Sequence, residues 1–152
     1  MWYDLEWRQH VSLITPGAGA SATRKIPGET FERLDVIRFQ LTTSAAVANR
    51  FAMVDVLDGD QNVVCRVPST NAVAASLTVR FTFIYGLALS LNSAANEQVL
   101  GLPDVLYPPG FTFRVFVSAM DAADQISNVF ATVLRVPSDA WSPSTGATPY
   151  EP

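Results

Sequence analysis

Five aspartates, one histidine and one cysteine are the residues of this chain whose types and spacing could do chemistry. Asp55, Asp58, Asp60, Asp121 and Asp124 are candidates for the pair of carboxylates that glycoside hydrolysis requires. Asp55 falls inside a strand-like run. The other four fall at turns, where aspartate is expected for its backbone bonding alone. His10 is the only histidine, so a serine triad would depend on it and a zinc site would lack ligands. Cys65, the only cysteine, lies in Val63-Val64-Cys65-Arg66-Val67 and reads as a small buried hydrophobe. Asp58-Gly59-Asp60-Gln61-Asn62 spaces oxygen ligands like part of a calcium loop, but lacks the glutamate that would close it, and reads as a hairpin turn whose positive φ its glycine and aspartates tolerate. No nucleophile elbow, P-loop or dinucleotide fingerprint is present, and Gly17-Ala18-Gly19 opens no helix. The expectation is a non-enzymatic protein with no catalytic residues, no metal site and no cofactor.

The elements that would position these residues are strands. Phe31 to Thr43 alternates, with Ile37, Phe39 and Leu41 on one face and Arg38, Gln40 and Thr42 on the other. Asn49 to Leu57 is apolar enough for a central strand. The turn at 58–62 leads to a return strand, Val63 to Val67, stopped by Pro68. Residues 69–75 form a loop. Ser76 to Tyr85 alternates with Leu77, Val79, Phe81, Phe83 and Tyr85 on one face. Leu87 to Leu91 is a strand or a covering loop. Asn92 to Leu100 has room for a short helical turn, and Leu102 to Tyr107 reads as an edge strand. After the Pro108-Pro109-Gly110 turn, Phe111 to Ala119 alternates, with Phe111, Phe113, Val115 and Val117 inward and Phe116 outward. Residues 121–125 connect it to a last strand, Ile126 to Val136. About eight strands and no amphipathic helix predict an all-β chain: an antiparallel β-sandwich, jelly-roll-like, with an immunoglobulin-like sandwich as the alternative. Trp2 to Ile14 alternates loosely and reads as a strand or an extended arm, and the expected organisation is an N-terminal arm and linker over residues 1–25, a body over 26–137 and a proline-rich tail over 138–152.

Composition narrows the partners. A chain of 152 residues with 49% apolar residues can bury a core without staples. Net charge is −4 and only 16% of residues are charged, which disfavours nucleic acid and anionic membranes as partners. The cations are nine arginines and Lys25. Arginine is the cation preferred at protein interfaces. The N-terminus lacks the features of a signal peptide and no apolar run reaches spanning length, so a soluble cytoplasmic product is expected. Trp2, Tyr3, Trp7, Trp141 and Tyr150 all lie outside the apparent core. With Arg8 they are the candidate partner-binding residues, docking on the chain's own sandwich or on a neighbouring subunit. Ile84 and Phe116, outward on their strands, are candidates for an oligomer interface.

The stretches 36–51, 58–62, 77–83 and 121–129, within residues 30–135, resemble small virion proteins of tailed bacteriophages, most like capsid decoration (cement) proteins. The resemblance implies a β-rich module on the capsid exterior, made in the bacterial host cytoplasm. It would be a homotrimer bound to the major capsid protein, stabilising the shell by bridging neighbouring capsid subunits. A head–tail connector or tail protein is a second expectation. A carbohydrate-binding sandwich for host attachment is a third.

Overall fold

The computed structural model describes residues 7–87, 91–94 and 96–138. Ten strands run through them: β1 (Trp7–Val11), β2 (Ala22–Lys25), β3 (Thr30–Thr42), β4 (Ala52–Leu57), β5 (Val63–Pro68), β6 (Thr78–Tyr85), β7 (Leu91–Ala94), β8 (Glu97–Leu102), β9 (Thr112–Val117) and β10 (Gln125–Pro137). They form two sheets, a six-stranded one in the order β1-β10-β3-β6-β8-β7 and a four-stranded one in the order β2-β9-β4-β5. All neighbours are antiparallel except β6 and β8. The chain is a β-sandwich. The pairs are nested: β1 with β10, β2 with β9, β3 with β6, β4 with β5.

Period-two alternation makes the core. Ile37, Phe39, Leu41, Phe81, Phe83, Ile126, Ala131 and Val133 face inward from the larger sheet, and Ala22, Val54, Val56, Phe113, Val115 and Val117 from the smaller. Phe39 stacks on Phe81 and Phe83, with ring centroids 5.2 and 6.0 Å away. Tyr107 meets the edge of Phe113 at 5.9 Å.

Each end of the sandwich is closed by a buried acid held by arginine. At one end Glu32 accepts from Arg24 of the smaller sheet (2.9 Å) and Arg135 of the larger (2.7 Å), tying the sheets together. At the other end Arg50 and Asp124, both fully buried, pair at 2.5 Å. Arg50 also donates to Ser44 Oγ and to the carbonyls of Ala46 and Ala48. Asp124 accepts from the amides of Ser44 (2.7 Å) and Asp121 (2.8 Å). The loop before β4 is thereby clasped to the β9–β10 turn. An unpaired buried charge is costly, so each member requires the others.

Four expectations are corrected. Residues 7–11 and 22–25 are not an arm: β1 pairs with β10 and β2 with β9, because their apolar residues Val11 and Ala22 complete the core. Residues 1–6 and 139–152 lie outside the described residues. The possible helical turn in 92–100 is instead β7 and the start of β8, with Gln98 and Leu100 buried by alternation. No edge strand covers 102–107: β8 ends at Leu102, and Tyr107 makes only an isolated bridge to Glu32. In the 58–62 turn the positive φ falls on Gln61 (67°) rather than on Gly59 or Asp60. Asp58 organises this turn instead, its carboxylate accepting from the Asp60 and Asn62 amides at 2.9 Å.

Candidate functional site

Both outer sheet faces carry arranged polar groups, and they differ in kind. On the smaller sheet, Asp55 of β4 sits between Arg66 of β5 and Arg114 of β9, its partners in register on either side. It accepts from Arg66 at 2.7 and 3.0 Å and from Arg114 at 3.2 and 2.5 Å. Burial would raise the Asp55 carboxyl, but the two guanidinium groups outweigh it and hold it below its ordinary value. Both guanidinium groups also lie over the Phe116 ring, at 5.8 and 5.1 Å. This face is a closed ion cluster.

The outer face of the larger sheet has two parts. Toward the start of β3, Arg33 stacks on the Tyr85 ring at 3.6 Å and bonds Asp35 and Asp104. Asp35 also takes Arg8 at 3.0 Å. Asp35 bulges from β3, since Leu34 and Val36 oppose consecutive residues of β10. Further along lies an open groove of about 580 Å³. Two registered rows line it, Phe130, Arg38, Thr82 and Val99, then Gln40, Arg80 and Glu97, with Asn128 beside the second row from the irregularity between Ser127 and Phe130. Asn128 is part of a bulge in β10 at φ 51°, and it donates to Gln40 at 3.1 Å. Asparagine tolerates that left-handed conformation better than most residues. Phe130 is exposed and meets the His10 ring at a tilt, with centroids 4.8 Å apart. Arg38 and Arg80 are exposed, and neither guanidinium group has a hydrogen bond or ion pair among the described residues.

The sequence-derived candidates scatter over this framework. Ile84 lines the groove, whereas Phe116 lies on the opposite face under its arginines, so no single flat contact covers both. Trp7 begins β1, and Arg8 is committed to Asp35. Trp2, Tyr3, Trp141 and Tyr150 lie outside the described residues. His10 is exposed and near Thr132 Oγ1 at 3.2 Å. Cys65 packs against the core, and burial, with a hydrogen bond to Cys65, pushes the Tyr107 phenol up. Asp58 and Asp60 sit in the β4–β5 turn, and Asp121 and Asp124 in the β9–β10 turn. Among the described residues no three His, Cys, Asp or Glu side chains gather where they could hold a metal ion. Sequence reasoning missed the groove. Its signal was present in the outward set Arg38, Gln40 and Thr42, but the register that sets them beside β6, β8 and β10 was not.

Comparison with protein-family models, with curated proteins and with solved structures finds no match to this chain.

Proposed function

We propose that this chain is a structural module of a tailed-phage particle, a decoration protein that covers the capsid exterior by binding neighbouring subunits of the major capsid protein. The open outer face of the six-stranded sheet carries this reading. It offers exposed apolar side chains beside guanidinium groups with no partner among the described residues, the mixture that protein interfaces favour. The closed clusters around Asp55, Glu32 and Asp124 use their carboxylates to hold strands together. The nested strand pairing supports a jelly-roll arrangement over an immunoglobulin-like one, since rolling one long hairpin into two sheets produces that order. Ile84 and Phe116 on opposite faces suit a cyclic homotrimer, whose contacts are heterologous and use two different surfaces.

Co-sedimentation of the purified protein with empty phage heads tests the reading. Saturable binding in hundreds of copies per head supports decoration. Binding in a few dozen copies at one vertex identifies a connector or tail component instead, and no binding rejects the proposal.

A further inference from the structure

Exposed apolar side chains gather at one end of the sandwich. Ile14, Val47, Phe51 and Leu77 all stand exposed in the loops around the Arg50–Asp124 pair, Ile14 at 75% and Val47 at 97%. Four loops build this end, residues 12–21, 43–51, 69–77 and 118–124. Hydrogen bonds join them into one surface. Thr43 Oγ1 donates to the Ala74 carbonyl at 2.7 Å, and the Ser76 amide to the Ser44 carbonyl at 2.8 Å. The Ser118 amide donates to the Phe51 carbonyl at 2.9 Å, and the Gly19 amide to the Asp124 carbonyl at 2.8 Å.

Two features of this surface point to a contact. Its tip is ordered in advance, because Val47 stands between the two carbonyls that Arg50 holds, those of Ala46 and Ala48. A loop fixed in this way loses little freedom on binding. The surface is also almost free of charge. Arg50, Asp121 and Asp124 are the only charged residues in the four loops. Arg50 and Asp124 are fully buried against each other, and Asp121 Oδ1 accepts the Ala123 amide at 3.0 Å. The opposite end exposes Lys25, Glu29, Asp60 and Asp104. Apolar side chains scattered singly are ordinary, but a joined, charge-free set marks a site of association.

The missing charge also selects the occupant. Where copies of one chain meet about a rotation axis, each residue near the axis faces its own kind, so any charge there repels its copies. A different protein sets no such limit, since it can answer a charge with the opposite one. The surface continues toward Phe116, two residues before Ser118.

We propose that this end of the sandwich meets the same end of other copies about the symmetry axis of an oligomer, with Val47 nearest the axis. The number of copies, three, rests on the reading given above; the contact does not.

Light scattering from the full chain on a sizing column, over a range of concentrations, tests the inference. The native chain should run as three copies. Val47→Glu should raise the concentration of half-assembly at least about tenfold, and added salt should reverse part of that rise. Val64→Glu, exposed on β5, should assemble like the native chain. Val47→Lys should weaken assembly as Val47→Glu does, and an equimolar mixture of the two should assemble better than either alone, because Val47 meets Val47. A monomeric native chain overturns the proposal. So does assembly that ignores Val47→Glu, that fails equally in Val64→Glu, or that the mixture does not restore. A native monomer whose binding to empty heads is lost in Val47→Glu also overturns it, assigning this end to the capsid protein. A dimer with all the expected responses leaves the inference standing and removes the homotrimer. Assembly without binding to empty heads leaves it standing and removes the capsid reading.

Discussion

Replacing Asp124 by asparagine keeps the side chain's shape and removes its charge. In the native chain one carboxylate oxygen accepts the Ser44 amide, and the other accepts the Asp121 amide and Arg50 Nε. An amide side chain has one oxygen and one NH2 group. In either orientation the NH2 group faces a donor: Ser44 in one, Asp121 and Arg50 in the other. Arg50, fully buried, also loses its counter-charge. Removing one member of a buried pair costs about 3–5 kcal/mol, so Asp124→Asn should destabilise by about 3 kcal/mol or more. For a chain of this size that is a fall in melting temperature of roughly 6–12 °C. Urea unfolding at pH 7 measures it as a lower midpoint with an unchanged slope. The pH dependence gives a second check. Burial would raise the Asp124 carboxyl, but the Ser44 and Asp121 amides and Arg50 hold it below its ordinary value of 3.8. Its contribution is therefore complete above that value and is lost as pH falls through the lower native value. The gap between the native chain and Asp124→Asn should narrow over that acid range. A gap at pH 7 within about 0.5 kcal/mol, the range of ordinary surface changes, would refute the reasoning.

Substitutions at three further positions probe the backbone. Gln61→Gly, at φ 67°, should raise the urea midpoint by an amount worth up to about 1 kcal/mol, since glycine occupies that conformation without steric cost. Gly101→Ala would drive a Cβ into the Leu87 carbonyl oxygen, so β8 must shift. It should cost about 1–3 kcal/mol and speed hydrogen exchange of the β8 amides. At Asn128, valine should cost about 1–2 kcal/mol by thermal unfolding, while glycine should fall within about 0.5 kcal/mol of the native chain.

The long alternating strands were legible because burial on one sheet face imposes a period of two. Ile37, Phe39 and Leu41, and again Phe113, Val115 and Val117, point where the alternation puts them. The Asp58–Asn62 hairpin was legible from its turn residues, though Gln61 rather than Gly59 takes the positive φ. The placement of β1 and β2 was not. β1 precedes and β2 follows a Gly- and Ala-rich segment, and their place in the sheets comes from partners 87 or more residues away. Local composition carries no record of such partners. The groove failed to appear for the same reason, as its rows draw on β3, β6, β8 and β10. Arg50 and Asp124 were equally hidden: a buried arginine looks like any other until its acceptors are known.

The nested pairing also sets an order of events in folding. β4 and β5 meet across a five-residue turn and can pair as soon as both emerge from the ribosome. β1 finds its partner only after residue 131 has been made, because Val11 pairs with Ala131. The first strand therefore waits through most of synthesis with its hydrogen-bonding edge open, and such distant pairings carry a large loop-closure cost. Folding should be slow, with closure of β1 onto β10 among its last steps. A chain stalled or cut before β10 leaves both β1 and one edge of β3 without a neighbour, a ready template for aggregation.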